Sequence, residues 1–326
     1  MNPAAKTYFI VNPVAGSGRT AAAAPIIERT ARERGLDYSL IYTGKQGDMD
    51  RVAGLIDMDS ARAIVCVGGD GTVQEYAGLA IGRGVKFGVI PTGSANDLLY
   101  SVPNGFPHSV LNGFPHSVPN GLPHPAPGAM RKFRTFDEKV AHYTERAING
   151  ETVAVDAVSV NDSGFLLNIG GTGIDIQVLQ DALPLKKFIG GGAYFLSLIK
   201  NVATYKATEM KLTVDGVSET GKFILIAICN GSYYGGNMRI APPAVIDDGK
   251  ITFCKVRKMS WLKTMAVFPA VKPGWHTGFK EVSYTDCSEV VVEYSGKKTI
   301  NLDGNLAEYA SPLRFKILKS AVNFIV

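Results

Sequence analysis

No apolar run in these 326 residues is long enough to cross a bilayer as a helix, and the first residues lack the pattern of a secretory signal. A cytoplasmic location is therefore the expectation. Cysteine is scarce: Cys66, Cys229, Cys254 and Cys287 each stand alone in a strand-like context and none has metal-ligand spacing. They read as buried, reduced thiols. The net charge of +5 is mild and dispersed, with no Lys/Arg stripe and no interleaved aromatics, so nucleic acid is not an expected partner. A modest attraction to an anionic membrane surface is the most that this charge supports. The chain also lacks the Gly-x-Ser-x-Gly elbow of a serine hydrolase. Residues 216–222 (GVSETGK) imitate the opening of a P-loop, but Phe223 stands where Ser or Thr should bind magnesium, and a strand pattern follows. A hairpin turn is the expectation there.

Glycine-rich turns, by contrast, are prominent in the first hundred residues. Residues 63–67 (AIVCV) form a short apolar run ended by Gly68 and Gly69, as a strand buried on both faces would. Asp70 and Gly71 follow, and Thr72 is expected to open a helix. Glycines here permit positive φ and let an anion approach the amides at a helix N-terminus. About twenty residues on, 88–97 (GVIPTGSAND) repeats the strand-then-turn design. The chain begins the same way: a strand over 7–12, a turn over 12–18 (NPVAGSG) and a helix over 20–34. A second strand over 36–43 and a helix over 48–58 complete a β/α alternation. Such an alternation implies a doubly wound parallel sheet whose ligand lies at the carboxyl ends of the strands, where all three turns fall.

Beyond residue 97 the character changes. Residues 101–124 are three tandem octapeptides (SVPNGFPH, SVLNGFPH, SVPNGLPH), too few for a solenoid and too rich in Pro, Asn and Gly for a helix or central strand. They read as an expanded surface loop, and the regular spacing of His108, His116 and His124 follows from duplication rather than from metal binding. Residues 136–148 have helical apolar spacing, stopped by Asn149 and Gly150. Strand patterns then dominate, at 152–160, 164–169, 210–214, 222–230, 251–256 and 289–294, which favours an antiparallel second domain.

Residues 68–72 (GGDGT) with 93–97 (GSAND) together resemble the diacylglycerol kinase catalytic domain family, in its bacterial soluble lipid kinase form related to sphingosine and ceramide kinases. The first motif alone is shared with NAD kinases. The resemblance implies an α/β plus β architecture: a Rossmann-like nucleotide domain over 1–130 with a low-complexity insert at 101–127, a β-rich, sandwich-like substrate domain over 131–312, and a return of 313–326 to the first domain. The active site is expected in the interdomain cleft. ATP is expected on Asn12, Pro13, Gly16 and Thr43, on Gly68, Gly69, Asp70, Gly71 and Thr72, and on Gly93, Ser94 and Asn96, with Ser94 where the family usually has Thr. The resemblance gives Asp70 the task of organising catalytic Mg²⁺ through water, with Asp97 and Asp156 as supporting acids. A structural Mg²⁺ is expected on the Asp248 carboxylate and the carbonyls of Val245 and Lys250; an ion-free hairpin is the alternative for that loop.

Residues 168–173 resemble the family's turn after a strand, and 189–204 its helix beside the lipid cleft, though a core helix fits equally. At residues 303–305 the family reads Asp-Gly-Glu, and the Glu is its proposed base. Here Asp303 is kept but Asn305 replaces the base, and an amide cannot accept that proton at neutral pH. Either a neighbour such as Asp303 or Glu308 then substitutes, or activity is impaired. The expected activity is an ATP-dependent lipid kinase, with diacylglycerol as first-choice substrate. Its membrane contact is expected to be transient and peripheral at the inner surface, and a homodimer is admitted. Alternatives are an NAD kinase-like soluble kinase or a weakened nucleotide- or lipid-binding regulator.

Overall fold

The computed structural model describes residues 5–44, 47–103, 108–109, 129–130, 133–161, 164–178, 180–181, 200–201 and 205–326. They divide into two units, Met1–Val155 with Ser320–Val326, and Asp156–Lys319.

In the first unit, strands β1 (Lys6–Val11), β2 (Tyr38–Tyr42), β3 (Ala61–Gly68) and β4 (Lys86–Pro91) lie in the order β2-β1-β3-β4, all parallel. The chain's end adds a parallel edge, Asn323 opposite Lys86 and Phe324 opposite Phe87. Residues 63–67 and 9–11 are completely buried, as strands covered on both faces must be. Helix α1 (Ala23–Glu33) buries Ala23, Ile26, Ile27, Thr30 and Ala31, one stripe at 3.6-residue spacing. Three shorter helices, α2 (Met49–Ala53), α3 (Asp70–Ala77) and α4 (Leu98–Ser101), follow the strands. The two-residue strands β5 (His108–Ser109) and β6 (Ala129–Met130) pair antiparallel. Apart from residues 101–103, 108 and 109, the octapeptides lie outside the described residues.

Helix α5 (Phe136–Asn149) opens on Thr135, whose Oγ1 accepts the Glu138 amide at 3.1 Å. It packs on α1 and β4, which is why the first unit extends to Val155 rather than ending near residue 130.

The chain enters the second unit within β7 (Thr152–Val160), which pairs antiparallel with β8 (Gly164–Leu166). Then come β9 (Ile169–Gly173), β10 (Thr208–Val214), β11 (Val217–Cys229), β12 (Ile251–Arg257), helix α6 (Trp261–Val271), β13 (Val282–Cys287), β14 (Glu289–Glu293), β15 (Lys297–Leu302), β16 (Asn305–Ala310) and β17 (Leu313–Ile325). The order β16-β15-β9-β11-β10-β14-β17 is antiparallel throughout, with β12 and β13 branching from β11. Leu313 pairs with Val292, so the chain returns to the first unit only at Ser320. The P-loop look-alike resolves into a tight turn at Asp215 (φ 43°) and Gly216 (φ 85°), followed by strand. Residues 169–173 are strand rather than the expected turn; a Cβ on Gly171 would lie 2.2 Å from the Ile226 carbonyl oxygen of β11. Of the helix expected over 189–204, all but residues 200 and 201 lie outside the described residues.

The larger apolar clusters of this unit lie around Phe223, Phe253 and Phe315 and around Ile169, Leu225 and Cys229, and a small one joins Val178 to Ile174, Met265 and Phe268. All four cysteines are buried and free, and burial pushes the Cys254 and Cys287 thiols up to about 12.

Candidate functional site

The strand order reverses direction between β1 and β3, so the turns leaving these strands sit at a topological switch point. There three glycine turns lock together. Gly16, at φ 58°, lies so close to the third turn that a Cβ on it would be 2.3 Å from the Thr92 carbonyl oxygen. Thr20 Oγ1 and Thr92 Oγ1 are hydrogen-bonded at 2.6 Å, Asn12 Nδ2 donates to Thr72 Oγ1 at 2.9 Å, and the Thr92 and Gly93 amides donate to the Gly68 carbonyl. Thr43, at the end of β2, is buried with its amide on the Val11 carbonyl. Pro13 and Gly71 are half-buried, and Ser94 is exposed at the tip of its turn.

Gly68, Gly69, Gly71 and Gly93 are not among the positive-φ residues, which corrects the expectation from sequence. Gly68, Gly69 and Gly93 are glycines because of closeness: a Cβ on Gly68 would meet the Thr72 side chain at 2.5 Å, and one on Gly93 would meet the Gly69 Cα at 2.5 Å. Helix α3 also begins at Asp70 rather than Thr72, so the carboxylate occupies the first helical position.

Asp70 Oδ1 accepts the Leu98 amide at 3.3 Å, tying the second turn to the third. Burial, and then the neighbouring Asp97 carboxylate, push the Asp70 carboxyl up to about 6, against the pull of nearby amides. Asn96 is in the left-handed region (φ 56°) and buried; its Nδ2 donates to the Gly93 carbonyl at 2.8 Å, while its buried Oδ1 has no partner. A buried acceptor without a donor, two repelling carboxylates and a backbone cradle that a Cβ would fill together fit a polyanion carrying a divalent cation.

In the second unit the 245–250 loop is held from beneath by Asp156, whose Oδ2 accepts the Gly249 amide at 2.6 Å and whose own amide donates to the Ile246 carbonyl. Burial, with Asp286 and Asp156 nearby, raises the Asp248 carboxyl; one of its oxygens takes the Lys250 amide at 3.0 Å. One exposed carboxylate beside carbonyl groups, in a field of other acids, is a donor set that suits a hydrated hard cation. Among the described residues no group of three His, Cys, Asp or Glu side chains forms a metal cluster.

Asp303 and Gly304 (φ 49° and 97°) make the two-residue turn between β15 and β16, and Asn305 pairs with Leu302. The Asp303 carboxylate is buried and accepts three amides, from Leu167 at 2.6 Å, Asn168 at 2.9 Å and Ile169 at 2.8 Å. Its lone pairs serve the fold, which counts against the expectation that it replaces the missing base. Glu308 is exposed three residues along β16.

Buried Asn230 donates to the Asp156 and Leu167 carbonyls, while sequence reasoning passed over the Thr20–Thr92 bond and Asp175. Burial raises the Asp175 carboxyl; its Oδ2 accepts Tyr234 Oη–H at 2.9 Å, and its Oδ1 is buried without a partner. The one available signal was an acid just past the glycine-rich strand β9.

Residues 6–118 match the model of the diacylglycerol kinase catalytic domain, and residues 169–326 that of the YegS C-terminal NAD kinase beta sandwich-like domain. A diacylglycerol kinase of Bacillus subtilis (strain 168) is 25% identical over 302 residues, covering 92% of this chain and 89% of that protein. A "Probable lipid kinase YegS-like" protein of Yersinia enterocolitica is 24% identical over 283 residues, 85% of this chain and 83% of its own. A crystal structure of a diacylglycerol kinase from Bacillus anthracis (strain Sterne) superposes with a TM-score of 0.70 at 20% identity, over 100% of this chain and 98% of that one. With the glycine cradle in the first unit and the β-rich second unit matched in order along the chain, this protein belongs to the diacylglycerol kinase family of lipid kinases.

Proposed function

We propose that the chain transfers the γ-phosphoryl group of ATP to the hydroxyl of a membrane lipid, diacylglycerol in the first instance, which yields phosphatidic acid. The observation that carries this reading is the interlocked cradle of three turns at the ends of β1, β3 and β4, with Asp70 at its helix N-terminus. Backbone amides of residues 69–72 would face the phosphates, and the close Gly69–Gly93 approach leaves no Cβ in the way. Asp70, supported by Asp97, would hold Mg²⁺ through water, and the Asn96 Oδ1 would accept a donor from the bound nucleotide or its hydration shell. Bound Mg²⁺ supplies neutralisation of charge on the transferring phosphoryl group. Asp248, with Val245 and Lys250, would hold a second, structural ion, and Asp156 orders that loop through Gly249.

Phosphoryl transfer rests mainly on positioning and electrostatics, and a general base contributes about 10² to 10⁴ in rate, so Asn305 weakens the reaction without abolishing it. The lipid is met at a bilayer surface by transient, peripheral contact on the cytoplasmic side; among the described residues no helix is long and apolar enough to cross. The test is γ-labelled ATP and Mg²⁺ with diacylglycerol, ceramide, sphingosine or monoacylglycerol in mixed micelles, and NAD as a soluble acceptor. Label should enter phosphatidic acid. Transfer to NAD without lipid would overturn the reading, and ATP binding with no turnover on any acceptor would make the chain a regulator.

A further inference from the structure

Helix α6 has one charged side chain, Lys263, and its Nζ is tied to Glu281 at 2.6 Å. A helix so apolar on all sides normally lies in a core or at a membrane. Here only Val267 and Val271 are buried. Trp261 and Leu262 are 61% and 64% exposed, Ala266 and Pro269 are exposed, and Met265 is half-buried against Val178. At 100° per residue these five positions share one arc of about 140°. Beside them Trp275, 70% exposed, sits in a short 3-10 turn (Trp275–Gly278) that packs against α6. The chain has 2 tryptophans, and this surface displays both.

The charge around the face is mainly positive, with Glu281 taken up by Lys263. Residues 251–280 contain six Lys or Arg and no Asp or Glu. Lys255 and Arg257 are held by Glu219, but Lys258, Lys272 and Lys280 are exposed and make no salt bridge among the described residues.

We propose that α6 and the Trp275 turn form the surface by which this chain docks on an anionic membrane, an inference that rests on the lipid kinase reading above. Exposed indoles favour the headgroup layer, the apolar arc favours the acyl boundary, and the three lysines meet anionic phospholipid. One such element gives reversible attachment, which suits an enzyme that must release its product into the bilayer and move on. A second copy of the chain is the poorer occupant, because self-pairing of this face would bring like charges together.

The two tryptophans make the test intrinsic to the full-length protein. Without ATP, vesicles of phosphatidylcholine with phosphatidylglycerol should shift tryptophan emission to the blue, and brominated acyl chains should quench it. Pure phosphatidylcholine should do much less, and added salt should weaken the effect. Trp261→Ala and Trp275→Ala should each lower vesicle partition in sedimentation by about tenfold, and the matching Phe variants should restore most of it. Lys258→Gln with Lys272→Gln and Lys280→Gln should remove the preference for anionic vesicles while leaving the melting temperature unchanged. Vesicle binding with unaltered tryptophan emission would overturn the proposal, as would undiminished binding by the double alanine variant. So would a blue shift that follows protein concentration alone, because a second copy would then cover the face. Lipid phosphorylation in detergent without any docking here would sink this inference and spare the kinase reading; docking without phosphorylation of any lipid would do the reverse.

Discussion

Gly69 and Gly93 approach so closely that a methyl group on Gly93 would lie 2.5 Å from the Gly69 Cα. Two motifs more than twenty residues apart are thereby pressed into one cradle, and the contact is backbone against backbone, with no flexible side chain to yield. Gly93→Ala must push the turns apart. It should cost about 1 to 3 kcal/mol of stability and weaken ATP binding, both accessible by thermal melting and calorimetric titration. Unchanged ATP affinity in this variant would remove the cradle from the nucleotide site.

Asp70 offers a prediction with a sign. Its carboxyl lies at about 6 in the folded chain, above the ordinary aspartate value, because of burial and then Asp97. An acid raised on folding destabilises the native state wherever both states are ionised, which is above pH 6. As pH falls from about 6 to about 4 the native state takes up the proton first and the penalty fades. With metal and nucleotide removed, Asp70→Asn should therefore melt a few degrees higher than the wild type at pH 8. At most about 3 kcal/mol is at stake, and the difference should vanish near pH 4. The same variant should lose nearly all phosphotransfer; retention of most activity would take Asp70 out of the mechanism.

Asp303 should behave as a fold residue. Removing its carboxylate strands three buried amides, each worth about 1 to 3 kcal/mol when left unsatisfied. Asp303→Ala should therefore unfold at markedly lower temperature or denaturant concentration. A variant that melts like the wild type yet has no activity would return Asp303 to the chemistry.

Asn305→Glu tests the family reading at its proposed base. The position follows the turn at Asp303 and Gly304, so a carboxylate there enters the family's motif without disturbing the hairpin. Turnover should rise, on the order of 10²-fold at neutral pH if no other group now accepts the proton, with little change in the Michaelis constant for ATP. An unchanged rate would point to Glu308, exposed on the same strand, or to Asp70 as the group that accepts the proton.

Much of the first unit was legible because its signals are local. An apolar run such as 63–67 can be read as a doubly covered strand from five residues, and β1 and β3 lie within two residues of their expected ends. In the second unit β13, β15, β16 and α6 escaped notice. The exposed faces of β15 and β16 carry mixed polar residues without clean alternation, and α6 is apolar all round, so neither period stands out. Residues 169–173 misled for a related reason: glycines usually mark a turn, whereas here they let one strand lie against the backbone of another.

By itself the sequence determined the alternation of the first unit, the residue types at its three turns and the isolation of each cysteine, because each depends on neighbours a few positions away. Tertiary structure alone decided why Gly69 and Gly93 are glycines, which carboxylate is strained at Asp70 and which is consumed at Asp303, and that both tryptophans stay in solvent. Those properties depend on contacts between residues up to 136 positions apart, and on burial, which sets the cost of a charge. Neither is written in any local stretch of chain.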